Sequence, residues 1–165
     1  MNCNKSLKEG ADTPSVRLVR AALIGGAYAA LTLVLAPLSF GPMQVRVSEA
    51  LTLLPWIWAE AIPGLFVGCL ISNFVGGFGI IDVVFGSAAT LTAAILTSRM
   101  PNRYLAAVPP VAVNALVVGG YLSVLLDVPA VPTMIYVGTG QTIACFGLGI
   151  PLLSLLERRF HRGGR

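Results

Sequence analysis

Glu49 and Asp82 are the side chains in this 165-residue sequence with the clearest capacity for chemistry, because each carboxylate stands at the start of an apolar segment. In the hydrocarbon of a bilayer, a charge costs roughly 2.5 kcal/mol or more unless it is paired or faces water. The two carboxylates are therefore either paired inside the protein or line a hydrated pocket. Pairing has a simple form. Arg46 precedes Glu49 by one helical turn, and Asp82 would then only cap its helix. The other form is a solute site open to the outside. Arg46, Ser48, Glu49, Asn73, Asp82, Asn114, Tyr136 and Gln141 come from separate segments and fall at a similar depth, which favours such a site. Phe74, Phe78 and Tyr136 lie near enough to stack on a planar solute, or to line the core.

Absences narrow the chemistry. Lys5 and Lys8 are the only lysines, so no GxxxxGK[ST] phosphate loop exists. The single histidine, His161, leaves no histidine-based metal site or proton relay. Cys3, Cys69 and Cys145 have neither metal spacing nor an even disulfide count. No Gx[ST]xG elbow appears. An intramembrane enzyme using Glu49 and Asp82 as an acid–base pair is an alternative without nucleophile, metal or cofactor motif. A purely structural membrane subunit is another. We expect no catalysis, no cofactor and no metal. Energy for uphill movement must then come from partner subunits with ATP or from an ion gradient. The chain is small for an autonomous secondary transporter and shows no evident inverted repeat. A binding subunit fits better.

The elements that must hold these residues follow from composition. Hydrophobic residues make up 56% of the chain and charged residues 11%, against about 25% charged in soluble domains. Lipid must solvate most of the surface. The net charge of +4 does not indicate nucleic acid, because the basic residues sit at the two ends and in one short loop rather than in a stripe with aromatics. The pattern reads as an all-α integral membrane protein. A polar cytoplasmic segment (1–17) precedes a membrane domain (18–157) and a basic cytoplasmic tail (158–165). Within the domain, apolar runs cover 18–37, 47–59, 62–75, 80–98, 104–126 and 131–156. The first is too long for a signal core and is read as a retained helix.

Residues 47–75 fit either two short helices joined near Glu60 or one helix broken at Pro55 or Pro63. Charge parity decides. Lysine and arginine favour the cytoplasmic side, and both termini are basic, so the number of spans is even. Six spans place every basic residue except Arg46 inside. Trp56 and Trp58 then fall toward the inner interface, where tryptophan anchors. On the first span, Ala22, Gly26 and Ala30 form one row of small residues, with Ala21, Gly25 and Ala29 beside it. Gly64, Gly68 and Ser72 form a third row. Such rows let helices approach closely, within this protein or against another.

Four stretches carry a resemblance. LAPLSFGPMQVRVSEALTLLP (35–55), AIPGLFVGCLISNFVGGFGIIDVVFGSAATL (61–91), VPPVAVNALVVGG (108–120) and YVGTGQTIACFGLGIPLL (136–153) resemble the QueT family, over roughly residues 18–157. These are queuosine-precursor S-components of energy-coupling factor (ECF) transporters. The resemblance implies a six-transmembrane-helix S-component bundle in the plasma membrane and a planar 7-deazaguanine substrate near the outer face. It also implies a membrane coupling protein and two cytoplasmic ATPases as partners, with Ala22, Gly26 and Ala30 as the docking row. The family often has an acidic residue where this chain has Gln141. A 7-deazaguanine presents N1–H and an exocyclic amine side by side to a carboxylate, and an aminomethyl precursor adds an ammonium for a second one. Glu49 and Asp82 are expected in these roles, with Arg46, Asn73, Asn114, Tyr136 and Gln141 around them. Another planar metabolite or vitamin is the alternative solute.

Overall fold

The computed structural model describes residues 13–40, 45–76 and 79–162, with side chains as far as Arg159. Cys3, Lys5, Lys8, Phe78 and the end of the basic tail lie outside the described residues. Among those described, every regular element is helical. Helix α1 (Pro14–Val34) opens on a proline, whose missing N–H costs nothing in a first turn. Its 21 residues reach about 30 Å, the thickness of a bilayer core. A short turn, α2 (Ala36–Ser39), follows it. After an extended Arg46 comes a 3-10 helix, Val47–Trp56. The chain continues through α3 (Ala61–Gly76), a π turn (Asp82–Gly86) that runs into α4 (Ser87–Ser98), then α5 (Arg103–Ala106) and α6 (Val108–Leu125). The last run joins α7 (Ala130–Thr142), a second π turn (Ile143–Gly149) and α8 (Ile150–Arg162).

Three helical runs are long and apolar enough to cross a membrane: Pro14–Val34, Arg103–Leu125 and Ala130–Arg159. Ala61–Gly76 and Asp82–Ser98 are shorter apolar helices. Residues 47–75 form two elements that part around Glu60, not one kinked helix. Pro55 sits inside the 3-10 helix. Pro63 falls in the first turn of α3, where proline is tolerated.

Contacts between elements fix their relative directions. Ala21 faces Gly64 and Gly25 faces Gly68, so α1 and α3 run parallel. Tyr28 bonds to Glu49 and Thr32 to Ser48, which sets the 3-10 helix antiparallel to α1. Asn73 bonds to Asp82 and Cys69 lies 3.3 Å from Thr90, so α3 and the α4 run are antiparallel. Thr97 meets Ala106 while Asp82 meets Tyr121, which reverses direction again. Gly119 packs on Met134 and Arg103 reaches Glu157, so the last run returns against α6. Six segments thus alternate in direction along the chain.

One end of the bundle carries two partly exposed ion pairs. Arg20 pairs with Glu60 and lies over the Trp58 ring at 4.7 Å. Arg103 reaches Glu157 at 3.4 Å and Ser154 at 3.3 Å. Trp56, expected at the membrane interface, is instead only 7% exposed, and its Nε1 donates to the Met100 carbonyl at 3.0 Å.

The 3-10 helix explains that difference. With three residues per turn, side chains three apart eclipse one another and form columns. One column, Leu51 and Leu54 above Ser48, packs with Ile24 and Tyr28 of α1. A second, Ala50, Leu53 and Trp56, packs with Gly149, Cys145, Leu153 and Ala106. The third is headed by Glu49. A ten-residue 3-10 helix is long for its kind, and here neighbours on several sides cover its columns.

Rows of small residues divide in function. A Cβ added to Gly64 would lie 2.3 Å from the Ala21 carbonyl oxygen, and one on Gly68 would lie 2.4 Å from that of Gly25. The backbones of α1 and α3 therefore touch. The neighbouring row, Ala22, Gly26 and Ala30, is exposed. Nothing lies within 4 Å of a Cβ built on Gly26.

Candidate functional site

Toward the end of the bundle opposite the Arg20–Glu60 pair, polar side chains are buried in numbers unusual for an apolar chain. Arg46, Glu49, Asn73, Asp82, Asn114 and Gln141 are each no more than 2% exposed. They come from the start of the 3-10 helix, α3, the first π turn, α6 and α7. All six were singled out from sequence. Tyr136 is not among them. Val137, Gly140 and Gln141 take the inward face of α7, which turns Tyr136 outward to 53% exposure. Phe74 is likewise outward, at 77%.

Arg46 pairs with Asp82, not with Glu49. Its Nη2 lies 3.4 Å from Asp82 Oδ2 and 3.5 Å from Oδ1. The reason is local. Arg46 has extended backbone (φ −84°, ψ 99°) and precedes the helix, so one-turn spacing to Glu49 does not apply. The guanidinium also lies over the Phe40 ring, 5.2 Å from its centre. Asp82 accepts from the Tyr121 hydroxyl, and its backbone carbonyl accepts from Asn73 Nδ2 at 3.1 Å. Asp82 opens a π turn inside a continuous helical run, the kind of bulge that recurs at functional sites. Gly86 closes that turn. A Cβ there would come within 2.8 Å of both Asn73 Nδ2 and Asp82 Oδ1.

Glu49 has a different set of neighbours. Oε1 accepts from the Tyr28 hydroxyl at 2.5 Å. Thr90 and Asn114 approach the same carboxylate from α4 and α6. Cys145 Sγ, one turn beyond Gln141, lies 3.6 Å from the Glu49 carbonyl. Beside it, Ser48 Oγ and Thr32 Oγ1 share a hydrogen bond of 2.7 Å.

Several buried atoms in this region make no hydrogen bond within the protein. They are Glu49 Oε2, Asn73 Oδ1, Gln141 Oε1, Asn114 Nδ2, Arg46 Nε and Ser87 Oγ. Buried polar atoms are nearly always satisfied in folded proteins. Five separate elements contribute these open atoms. Arg46 and Asp82 offset one another, whereas Glu49 accepts from a neutral hydroxyl, that of Tyr28. Among the described residues no group of histidine, cysteine and carboxylate side chains could hold a metal ion.

Tyr28, Thr32, Thr90 and Tyr121 belong to the network and were not singled out from sequence. Tyr28 and Thr32 follow Gly25 by three and seven residues. They share the inward helical stripe of α1, and that spacing was the available signal. Tyr121 had none beyond being a hydroxyl-bearing ring near the end of an apolar helix.

Comparison with known proteins agrees in kind. A family model described as QueT transporter matches residues 18–158. The queuosine precursor transporter QueT of Lactococcus lactis subsp. cremoris is 37% identical over 89 residues, covering 53% of this chain and 52% of that protein. The chain thus matches about half the length of this curated relative. No solved structure matches it. With a transporter family model covering most of the sequence and helices able to span a bilayer, this is a membrane protein, and the chain belongs to the QueT transporter family.

Proposed function

We propose that this chain is the substrate-binding component of an ECF-type importer for a queuosine precursor, a 7-deazaguanine such as 7-aminomethyl-7-deazaguanine or queuine. It crosses the plasma membrane six times, with residues 18–157 in the bilayer and the flanking segments 1–17 and 158–165 in the cytoplasm. The six alternating segments support an even count. Arg17, Arg20, Arg99, Arg103, Arg158 and Arg159 then share the cytoplasmic end, as the distribution of basic residues around membrane helices requires. The chain binds without catalysis. A membrane coupling protein meets the exposed row Ala22, Gly26 and Ala30, and two cytoplasmic ATPases supply the energy.

The observation that carries this reading is the buried Glu49 carboxylate, whose Oε2 makes no close hydrogen bond, in a bundle that also buries open polar atoms of Asn73, Asn114 and Gln141. A 7-deazaguanine offers N1–H and an exocyclic amine to such a carboxylate. Its carbonyl oxygen can accept from Asn114 Nδ2. An aminomethyl group can donate to Asn73 Oδ1 or Gln141 Oε1. Asp82, held by Arg46 and Tyr121, keeps that side of the site in place. Charge-assisted bonds shielded from water are the strong ones. Calorimetry of the purified protein with a panel of 7-deazaguanines tests the reading. Tight binding without turnover is expected, with a loss of at least about 10-fold in Glu49→Gln. Equal affinity in Glu49→Gln, or no binding by the wild type, refutes it.

A further inference from the structure

We infer that Tyr28 is the positioning residue for the Glu49 carboxylate, its hydroxyl engaging Oε1 so that Oε2 is the oxygen presented to a ligand. The inference rests on Glu49 being the binding carboxylate. Rotation about the last torsion of a glutamate is soft, with two broad, nearly equivalent orientations. A carboxylate on its own would exchange its oxygens and present neither in a fixed direction. The Tyr28 ring is fully buried and carries its hydroxyl to 2.5 Å from Oε1. A phenol has no soft stem, so this bond defines a direction.

Tyr28 is itself held from both sides. One turn earlier, Gly25 is packed so closely that an added Cβ would lie 2.6 Å from the Gly64 carbonyl oxygen. One turn later, Thr32 Oγ1 donates to the Tyr28 carbonyl at 2.8 Å and shares a hydrogen bond with Ser48, the residue before Glu49. The other polar groups near Glu49 are Arg46, just before its own helix, and Thr90, Asn114 and Cys145 from three further elements. The Tyr28 bond to the carboxylate, at 2.5 Å, is a short one.

The test uses the full chain with Tyr28→Phe, which keeps the ring and removes the donor. Infrared spectra of ligand-free protein identify the Glu49 carboxyl band as the one lost in Glu49→Gln. That band is expected to shift in Tyr28→Phe, and site-specific 3-fluorotyrosine at position 28, a stronger donor of nearly the same shape, should shift it the opposite way. An unmoved band in both overturns the inference. Binding of 7-aminomethyl-7-deazaguanine is the second arm. Tyr28→Phe should weaken it about 10-fold, yet cost almost nothing further when Glu49 is already glutamine. Equal losses in both backgrounds mark Tyr28 as a packing residue and also overturn the inference. If the wild type binds no 7-deazaguanine, the proposed substrate falls, and the infrared arm still decides whether Tyr28 governs Glu49.

Discussion

Arg46 and Asp82, 36 residues apart in sequence, meet with 3.4 Å between Nη2 and Oδ2, and both are almost completely buried. The pair ties the residue that opens the 3-10 helix to the π turn before α4. Taking either partner away leaves a lone charge in a low-dielectric interior, which costs about 3–5 kcal/mol. Asp82→Asn should therefore lower the thermal midpoint in detergent well below that of Glu49→Gln. Replacing both partners, as in Arg46→Met with Asp82→Leu, should recover much of the loss. A double variant as unstable as the sum of the singles would show that the two charges do not compensate one another.

Gly86 offers a test of the π turn that removes no hydrogen-bonding group. An alanine there must displace Asn73 Nδ2 and Asp82 Oδ1, each 2.8 Å from the new carbon. Overpacking of this kind costs roughly 1–3 kcal/mol. Gly86→Ala should weaken substrate binding by about 10-fold or more and lower the unfolding temperature modestly. Calorimetry and thermal melts on one preparation measure both.

Glycines on α1 and α3 should divide sharply. Gly68→Ala presses a methyl carbon to 2.4 Å from a backbone oxygen that cannot move alone, whereas Gly26→Ala meets nothing within 4 Å. The first should be destabilised by several kcal/mol, an overpacking penalty at the upper end of the usual range. The second should melt at or slightly above the wild-type temperature, because alanine is the better helix former by about 1 kcal/mol. A larger residue, Gly26→Leu, should leave substrate affinity intact and reduce copurification with the proposed coupling protein. Normal copurification would remove Gly26 from the docking row.

Much of this arrangement was legible in the sequence, and the physical reasons are uneven. Burial of Arg46, Glu49, Asn73, Asp82, Asn114 and Gln141 follows from the cost of polar groups in an apolar chain, which forces them inward. The division of residues 47–75 followed from charge parity. Partner choice did not follow. The Arg46–Glu49 spacing presumed an α-helical backbone, and the backbone at Arg46 is extended. Trp56 was assigned to an interface from its place near the end of its segment, whereas the 3-10 column carries it into the bundle. Tyr136 depended on rotation about α7, which hydrophobicity on all sides leaves undetermined. Tyr28 and Tyr121 act through single hydroxyls, and hydropathy carries no information about these.

The threefold packing of Val47–Trp56 sets a rule for how its length can change. A single inserted residue turns everything beyond it by about 120°. Leucines that met α1 would then confront the last helical run, and the Trp56 indole would lose its carbonyl. Adding or removing three residues keeps each later side chain on its own face while sliding the segment by about 6 Å. A change of three is therefore the smallest that keeps the columns of this stretch facing their helices, with Glu49 near its start like the first mark on a ruler.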